Sequence, residues 1–470
     1  MELKRIEYNG HLLPGQILTL VDEYVGSKDR KKVLAAKRYL VGNNPGIMDR
    51  ECPDEDAPNN KIAVPYGRKI INTVAGYMYK PGLIRYTSQG DETYLATLQE
   101  VFATNKEPIK SARLGKDSSL YGVAYEYHYV EGVKTGDVTL PVVALPRFAA
   151  LPVEEVIPLY DYEIEPKLRA FIRFYMRGEE THYFVYYERD WEHYRKTKTG
   201  AALEFVEASV HQYGRVPLNV YANNDEWLGD ITPVLNLIDA YDVLVSDSLN
   251  EFDRFAWAYL LLVGFGLDDE DAKDIKWKRA FEKLESADAV KFLTKEINSE
   301  FITFLAEWIR KEIHNQSGVP DISDISFGSS ASGTTIDKFI YLMELFTDPK
   351  EAYFRDALTE RLKMIDGFLR VRDGNKVEGW KDIEITMDRN WPIDDLVNAQ
   401  ALEKYAGHVT EETLLSKFAP FIKNVAEEIE KLKKEKDENI ARIQAQFDAQ
   451  GGGDKDDKDG ADPDGLNADA

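Results

Sequence analysis

Residues 233–262, PVLNLIDAYDVLVSDSLNEFDRFAWAYLLL, decide the fold class of this chain. Projected at about 100° per residue, the stretch predicts one long amphipathic helix. Its broad apolar face comprises Leu237, Tyr241, Leu244, Val245, Leu249, Phe252, Phe255 and Tyr259. The opposite face is acidic and carries Asp239, Asp242 and Asp253. About 30 residues at about 1.5 Å per residue give a helix about 45 Å long, which is much longer than an ordinary core helix.

A second long helix is predicted further along the chain, at residues 300–315. Its apolar side comprises Phe301, Phe304, Leu305, Trp308 and Ile309. Between the two helices lies a compact charged insert, with a predicted helical piece at 271–284 and a predicted strand at 289–293. Two helices that flank a small insert indicate a projecting antiparallel pair with a tip.

The stretch 317–333, SGVPDISDISFGSSASG, predicts a long irregular loop rich in Ser, Gly and Asp. A connection of this length usually indicates function or mobility. After it, residues 334–370 predict a helix that contains Pro349. A proline inside a helix removes a hydrogen bond and forces a bend, so we predict a kink near 347–350.

The segment GSSASGTT, residues 328–335, has the spacing of a phosphate-binding P-loop and precedes a helix. However, Thr334 stands where the P-loop has the lysine that neutralises the phosphates. We therefore favour a flexible loop of small residues that leads into an N-capped helix. A P-loop-like nucleotide-binding enzyme stays open as an alternative function.

The two ends of the chain differ in character. Residues 1–232 indicate an α+β body, because helical and strand patterns are mixed there. The patterns predict helices at 12–25 and 60–79 and strands at 122–129, 138–144, 170–176 and 182–188. Near the other end, Thr410 is a predicted helix N-cap and 423–447 predicts a long polar helix. The acidic stretch 451–470 predicts disorder.

Composition excludes several classes of protein. The chain has 470 residues and a formal net charge of −24, which argues against a broad basic face that grips nucleic acid. Its one cysteine, Cys52, permits no intrachain disulfide and fits a reducing compartment. No CxxC or HExxH pattern suggests a metal site, and we expect no cofactor. The longest apolar run, 256–267, is shorter than the roughly 18 residues of a membrane span, so we expect a soluble, unexported protein.

Short motifs spread along the chain carry a resemblance. They are NKIAVPY at 60–66, INTVAGYMYKPG at 71–82, YGVAYE at 121–126, VP at 216–217, NN at 223–224, GD at 229–230, LIDAY at 237–241, SDSLN at 246–250, GVPD at 318–321, FG at 327–328, ASG at 331–333 and RNWP at 389–392 followed by Asp394. In this order, over roughly 40–450, they resemble the portal proteins of tailed bacteriophages, in the branch typical of phages of Gram-positive bacteria.

The resemblance implies an α+β portal fold and a division of the chain into named parts. These are the wing (1–232 and 334–400, the latter with the kinked helix), the stem helices (233–265 and 299–318), the clip (266–298), the tunnel loop (319–333) and the helical crown (401–448). The remaining residues, 449–470, are the acidic tail that composition predicts to be disordered, and 451–470 match no pattern of the family. It also implies a non-enzymatic ring of about twelve subunits at one capsid vertex of the virion. Double-stranded DNA is packaged and ejected through such a ring, which is assembled in the cytoplasm of the host bacterium.

The same resemblance implies functional residues and partners. The tunnel loop is expected to narrow the channel, and its site residues are Val319, Pro320, Asp321, Ile322, Ile325, Phe327, Gly328, Ser329 and Ser330. Of these, Val319, Ile322, Ile325 and Phe327 are expected to pack on the neighbouring copy, and Pro349 is the bend that lets the loop shift. The clip is expected to dock the terminase large subunit and a head-completion adaptor through Lys276, Lys278, Arg279 and Lys283. Scaffold and major capsid protein are further expected partners, and no membrane is involved.

Two expectations concern the wall of the channel. If Asp239, Asp242 and Asp253 face the bore, ring symmetry repeats each carboxylate, and the negative wall discourages DNA from adhering. Arg310, Lys311 and His314 are candidates either for weak phosphate contact or for ion pairs between subunits. A capsid assembly protein without a channel is the remaining alternative.

Overall fold

A computed structural model of the chain describes residues 4–7, 10–52, 57–88, 90, 92–131, 145–198, 200, 202–256, 259–262, 290–293, 298–321, 333–374, 378–390, 403–418 and 425–450. The chain divides into two compact units, Met1–Asn390 and Trp391–Ala470. No helix within these described ranges is long and apolar enough to cross a bilayer.

The first unit begins with helices. In chain order its first elements are α1 (Pro14–Gly26), α2 (Lys28–Val41), α3 (Pro45–Met48), α4 (Tyr66–Met78), β1 (Ile84–Ser88), α5 (Glu92–Asn105), α6 (Glu107–Tyr121) and β2 (Val123–Val130). Ser27 caps α2 by accepting a hydrogen bond from the Arg30 amide at 3.1 Å. Gly42 ends the same helix in the left-handed conformation, with φ of 74°.

Antiparallel strands form the second part of this unit. They are β3 (Pro146–Leu151), β4 (Val156–Tyr160), β5 (Leu168–Arg177), β6 (Glu180–Tyr186), β7 (Asp190–Thr197), β8 (Glu204–Val210) and β9 (Leu218–Ala222). Five of them form one sheet in the order β4-β5-β6-β7-β8, and β2 lies between β3 and β9 in a second sheet. The short connections between sequential strands explain this meander.

The remaining elements of the first unit are the long helices and short strands that follow. They are α7 (Leu235–Ala256), β10 (Tyr259–Leu262), β11 (Val290–Leu293), α8 (Ser299–Ser317), α9 (Gly333–Asp373) and β12 (Ile383–Met387). β12 pairs with β1, which lies nearly 300 residues earlier in the chain. Helices α7 and α8 pack against each other, so the predicted helix pair is present.

The predicted helix over 233–262 is wrong at its C-terminal end. Helix α7 ends at Ala256, and Tyr259–Leu262 forms β10, which pairs antiparallel with β11. A run of large apolar residues suits a strand as well as a helix, and the Val and Phe residues of β11 provide a partner. The predicted strand at 289–293 is confirmed as β11, whereas the predicted helical piece at 271–284 lies outside the described residues.

Most of the other predicted elements are confirmed within a few residues. Helix α1, helix α9 and strands β2, β5 and β6 occur where the sequence patterns place them. The helix predicted from residue 60 begins only at Tyr66, because residues 60–64 instead bond along α7. The strand predicted at 138–144 lies outside the described residues.

The second unit is helical where the structure describes it. It contains α10 (Glu411–Phe418) and α11 (Val425–Gln450), which pack against each other. Thr410 caps α10 as predicted, since its hydroxyl accepts from the Thr413 amide at 3.4 Å. Lys436 of α11 forms an ion pair with Glu411 at 2.7 Å. The predicted disordered tail, 449–470, lies almost wholly outside the described residues.

Candidate functional site

Helix α7 carries a buried polar row at every fourth position: Asp242, Ser246 and Asn250. Residues 60–64 run beside this polar row, and alternate backbone N–H groups of that stretch donate to its side chains. The pairs are Val64 to Asp242 at 2.8 Å, Ile62 to Ser246 at 3.0 Å and Asn60 to Asn250 at 2.7 Å. The spacing of the donors along residues 60–64 matches the spacing of the acceptors along α7. Alternate residues of an extended chain are about 6.6 Å apart, and every fourth residue of a helix is about 6 Å further along its axis.

The acidic face of α7 therefore packs inside the chain, which corrects one expectation. Asp242 is completely buried, so it cannot line a channel. Asp239 is half-buried and accepts from the Tyr39 hydroxyl at 2.7 Å, and Asp253 accepts from the Asn60 amide at 2.6 Å. The physical reason is that the N–H groups of residues 60–64 need acceptors, and only the polar face of the helix supplies them. That Asp239 and Asp253 also face a channel stays a prediction.

Burial raises the pKa of Asp242, although the hydrogen bonds from Val64 and Asn44 oppose the shift. The negative charge is therefore unfavourable at this place, while the acceptor oxygen is needed. We expect Asp242→Ala to lower the free energy of unfolding by about 1–3 kcal/mol, because it leaves the buried Asn44 side chain and the half-buried Val64 N–H without their acceptor. We expect Asp242→Asn to change it by less than about 1 kcal/mol. Urea unfolding of both variants at pH 7 measures the difference, and equal losses would contradict this account.

A second group of charged residues, which we name the loop-base cluster, surrounds the start of the predicted tunnel loop. It consists of Lys69 of α4, Arg310 and His314 of α8, and Asp321. Lys69 Nζ lies 3.1 Å from Asp321 Oδ1, and Arg310 Nε lies 3.6 Å from Asp321 Oδ2. The loop-base cluster joins the start of the loop to two helices of the same chain.

His314 is buried and acts as a fixed structural donor in this cluster. Its Nδ1 lies 2.9 Å from the carbonyl oxygen of Val319, so that nitrogen carries the proton. Burial lowers the pKa of His314, with the charge of Lys69 acting in the same direction, so the ring is neutral near pH 7. The expectation that His314 contacts phosphate is wrong, because the side chain is turned into the chain.

The same geometry corrects the expected roles of three neighbours. Val319 is completely buried in the core of its own chain, so it does not pack on another copy as part of a collar. Asp321 is also buried, and Arg310 pairs with it inside the chain; an ion pair from Arg310 to another subunit stays a prediction. Lys311 is exposed on α8, and a phosphate contact by it stays a prediction.

Several predicted site residues lie outside the described residues. In the tunnel loop these are Ile322, Ile325, Phe327, Gly328, Ser329 and Ser330, and in the clip they are Lys276, Lys278, Arg279 and Lys283. Pro320 is described and half-buried. The described part of the chain holds no group of three or more His, Cys, Asp or Glu side chains that could bind a metal ion. Most of the P-loop-like segment, 328–332, is likewise outside the described residues.

Helix α9 runs through Pro349 as one 41-residue helix, and its C-terminal part is fixed by two buried cations. Lys350 Nζ donates to Asp230 Oδ2 at 2.5 Å and to Ser119 Oγ at 3.0 Å. Arg361 forms an ion pair with Glu126 at 2.8 Å. Burial lowers the pKa of Lys350, although the adjacent Asp230 opposes the shift. The predicted kink at Pro349 stays a prediction.

Sequence reasoning missed these two cations, although a signal was present. Lys350 and Arg361 lie three turns apart on the face of α9 that also buries Phe354, Leu358 and Ile365. A charged residue in an apolar helical stripe indicates a buried partner, since an unpaired charge there is very unfavourable. The partners, Asp230 and Glu126, are too distant in sequence for spacing to identify them.

The comparisons with known proteins define a class that this fold fits. The family model for phage portal proteins matches residues 22–442, so the chain belongs to the phage portal protein family. The model is the SPP1 Gp6-like one, which places the chain in that branch of the family. The resemblance seen in the sequence motifs is thereby confirmed.

Curated relatives agree with this family. The portal protein of Clostridium phage phiCD119 is 23% identical over 428 residues, which cover 86% of this chain and 92% of the relative. The portal protein of Bacillus phage SPP1 is 21% identical over 477 residues, which cover 93% of this chain and 90% of that relative. A solved structure titled "Neck of native GTA particle computed with C12 symmetry" matches with a TM-score of 0.44 at 12% identity, covering 83% of this chain and 93% of that one.

Proposed function

We propose that copies of this chain close into a ring at one vertex of a phage capsid, and that its bore is the channel for packaging and ejecting double-stranded DNA. The number of copies, about twelve, follows from the family resemblance. The ring belongs to the virion and assembles in the cytoplasm of the host. Wing, stem, clip, tunnel loop and crown have the boundaries given above.

The observation that carries the ring is a set of exposed large apolar side chains on both stem helices. We name this set the stem apolar face: Leu249 and Phe252 of α7, and Phe301, Phe304 and Trp308 of α8. Each is between 37% and 67% exposed in the single chain. Burying one such side chain contributes about 1.5–3 kcal/mol, so a neighbouring copy that covers the stem apolar face is strongly favoured.

We expect the wall of the bore to be negative, which suits a passage that DNA traverses without adhering. The whole chain has a net charge of −24, and the half-buried Asp239 and Asp253 of α7 are the carboxylates proposed for the wall, since Asp242 is buried. Screening limits the repulsion to about 10 Å at 0.1 M salt, so it acts only where the wall is close to the duplex. The exposed Lys311 of α8 supplies an isolated positive contact for phosphate.

The proposed partners are proteins of the same virion. The clip docks the terminase large subunit during packaging and the head-completion adaptor afterwards, with its lysines and Arg279 offered to acidic surfaces. Scaffold and major capsid protein contact the ring during assembly. This role needs no enzymatic activity and no cofactor from the chain.

Electron microscopy of the purified chain, combined with a mass measurement, tests the proposal. We expect annular particles with a central hole and a mass that is a whole multiple of 53.6 kDa. A single polypeptide under every assembly condition, or compact particles without a hole, would overturn it. Incubation with radiolabelled ATP separates the P-loop-like alternative, because we expect no hydrolysis by the ring alone.

The tunnel loop can be tested by deletion. We expect loss of Ser323–Ser330 to leave rings intact and to abolish DNA-filled heads, because the deletion spares Asp321 and the loop-base cluster. Electron microscopy of rings and of heads from a complemented infection measures both outcomes.

The matched control replaces the same eight residues by a Gly/Ser segment of equal length. If the apolar residues Ile325 and Phe327 narrow the channel, this control also impairs packaging. Normal filled heads from the deletion would contradict the proposed role of the loop.

A further inference from the structure

Arg389 follows strand β12 and is almost completely buried against helix α9. Its guanidinium contacts three carboxylates of that helix. Nε lies 3.2 Å from Glu344, and the same terminal nitrogen lies 3.2 Å from Asp348 and 2.6 Å from Glu351. Glu344 and Asp348 precede Pro349, whereas Glu351 follows it. One side chain therefore bonds α9 on both sides of its proline.

Pro349 is the weakest point of α9. It has no N–H group, so the carbonyl of Leu345 lacks its helical hydrogen bond. On the C-terminal side, Lys350 and Arg361 fix the helix through buried ion pairs. On the N-terminal side, the described residues Leu342 and Leu345 are more than half exposed. Met343 and Thr347 anchor the end of that half next to the proline, since both are buried, and its polar ties include Glu344 to Tyr77 and Glu344 to Arg389.

The residue after Arg389 provides a rigid base. The Asn390 amide donates to the carbonyl of Tyr77 at 3.0 Å, and Lys80 donates to the Asn390 side chain at 3.0 Å. The ring of Tyr77 lies 5.9 Å from the Arg389 guanidinium. These contacts fix Arg389 relative to α4 and the turn after it. Through its three carboxylate contacts, Arg389 in turn holds α9 against the same part of the chain.

We propose that Arg389 is a positioning residue that staples α9 across Pro349 and sets the position of the helix half that carries the tunnel loop. Release of the staple frees residues 333–348 to pivot at the proline, while residues 350–373 stay fixed. The inference rests on the proposed function only in that this half of α9 leads out of the tunnel loop; the staple itself follows from the geometry.

Hydrogen exchange of the full-length chain tests the staple. In Arg389→Met we expect amides of residues 340–348 to exchange about 10–100 times faster, because charge-assisted bonds of about 1.5–3 kcal/mol are lost. We expect amides of residues 354–370 to change less than about twofold. In a Pro349→Ala background, which restores the helical bond, we expect the effect of Arg389→Met to shrink to a few-fold.

Two further variants keep the test decisive. Glu344→Gln with Asp348→Asn removes the partners before the proline and leaves Arg389 paired with Glu351, so it replaces Arg389→Met if that variant fails to fold. Arg355→Met is the matched control, because Arg355 pairs with Glu351 without spanning Pro349, and residues 340–348 should be unaffected. Equal acceleration on both sides of Pro349, or none, would overturn the staple. Exchange is measured whether or not rings form, so failure of the staple and failure of the proposed function are distinguishable.

Discussion

Replacing Arg361 by methionine should lower the free energy of unfolding by about 3–5 kcal/mol, because it leaves two carboxylates buried without their cation. Arg361 is completely buried. It donates to Glu126 at 3.0 and 2.8 Å, and to Glu107 at 2.9 Å. Its guanidinium also lies 4.6 Å from the centre of the Phe148 ring. Urea unfolding at pH 7 and fixed protein concentration measures the loss.

The pH dependence gives an independent check on the same residues. Burial alone would raise the pKa of Glu126, but Arg361 and the adjacent His128 lower it to about 2. A carboxyl group whose pKa is lowered by folding stabilises the fold at a pH above its ordinary pKa, which is 4.5 for a glutamate. This stabilisation is lost as the pH falls from about 5 to 2. The contribution is on the order of 3 kcal/mol.

Glu126→Gln is the matched control for this pH dependence. We expect it to flatten the loss of stability between pH 5 and 2, and we expect the double variant with Arg361→Met to be more stable than Arg361→Met alone. An acid profile of Glu126→Gln that coincides with that of the unmodified chain would show that Arg361 does not hold Glu126 ionised.

The periodicity of helix α7 predicted its existence and the packing of its apolar residues, such as Leu237, Tyr241 and Leu244, but it did not predict that the polar row is buried as well. A helical wheel separates an apolar face from an acidic one, and the hydrophobic effect favours burial of the apolar face. The structure also buries the polar row Asp242, Ser246 and Asn250, because the N–H groups of residues 60–64 lie against it. That partner is about 180 residues away in sequence, and no local pattern reports its approach.

The loop-base cluster is a second case in which the sequence predicted the element but not the contacts of its residues. The sequence identified 317–333 as a loop with a special role, and the structure fixes its first residues through His314 and Asp321. The sequence suggested that His314 and Arg310 are exposed cations. Their partners, the Val319 carbonyl and the Asp321 carboxylate, come after a turn at Gly318, and the direction of the chain after that turn depends on the tertiary structure. The family, in contrast, could be predicted, since it rests on an ordered set of short motifs rather than on packing.

The stem apolar face gives the second large prediction. Phe304 and Trp308 of the stem apolar face are 63% and 49% exposed in the single chain. We expect Phe304→Glu with Trp308→Glu to abolish ring formation, because each interface loses about 1.5–3 kcal/mol per aromatic side chain and gains buried charge. A loss of about 3–6 kcal/mol weakens each contact by about 100-fold to 10 000-fold. Light scattering and electron microscopy measure the assembly state.

The thermal unfolding of the unassembled double variant should stay close to that of the unassembled chain, because both side chains are largely outside its core. Thr303→Glu is the control for the sign of the charge: it adds one negative charge, where the double variant adds two, one residue from Phe304 and at an exposed polar position about 100° around the helix. Rings of Thr303→Glu alongside a dispersed double variant would show that the aromatic surface, rather than charge on α8, closes the ring. Normal rings from the double variant would mean that copies associate through other surfaces and that the stem apolar face has a different partner.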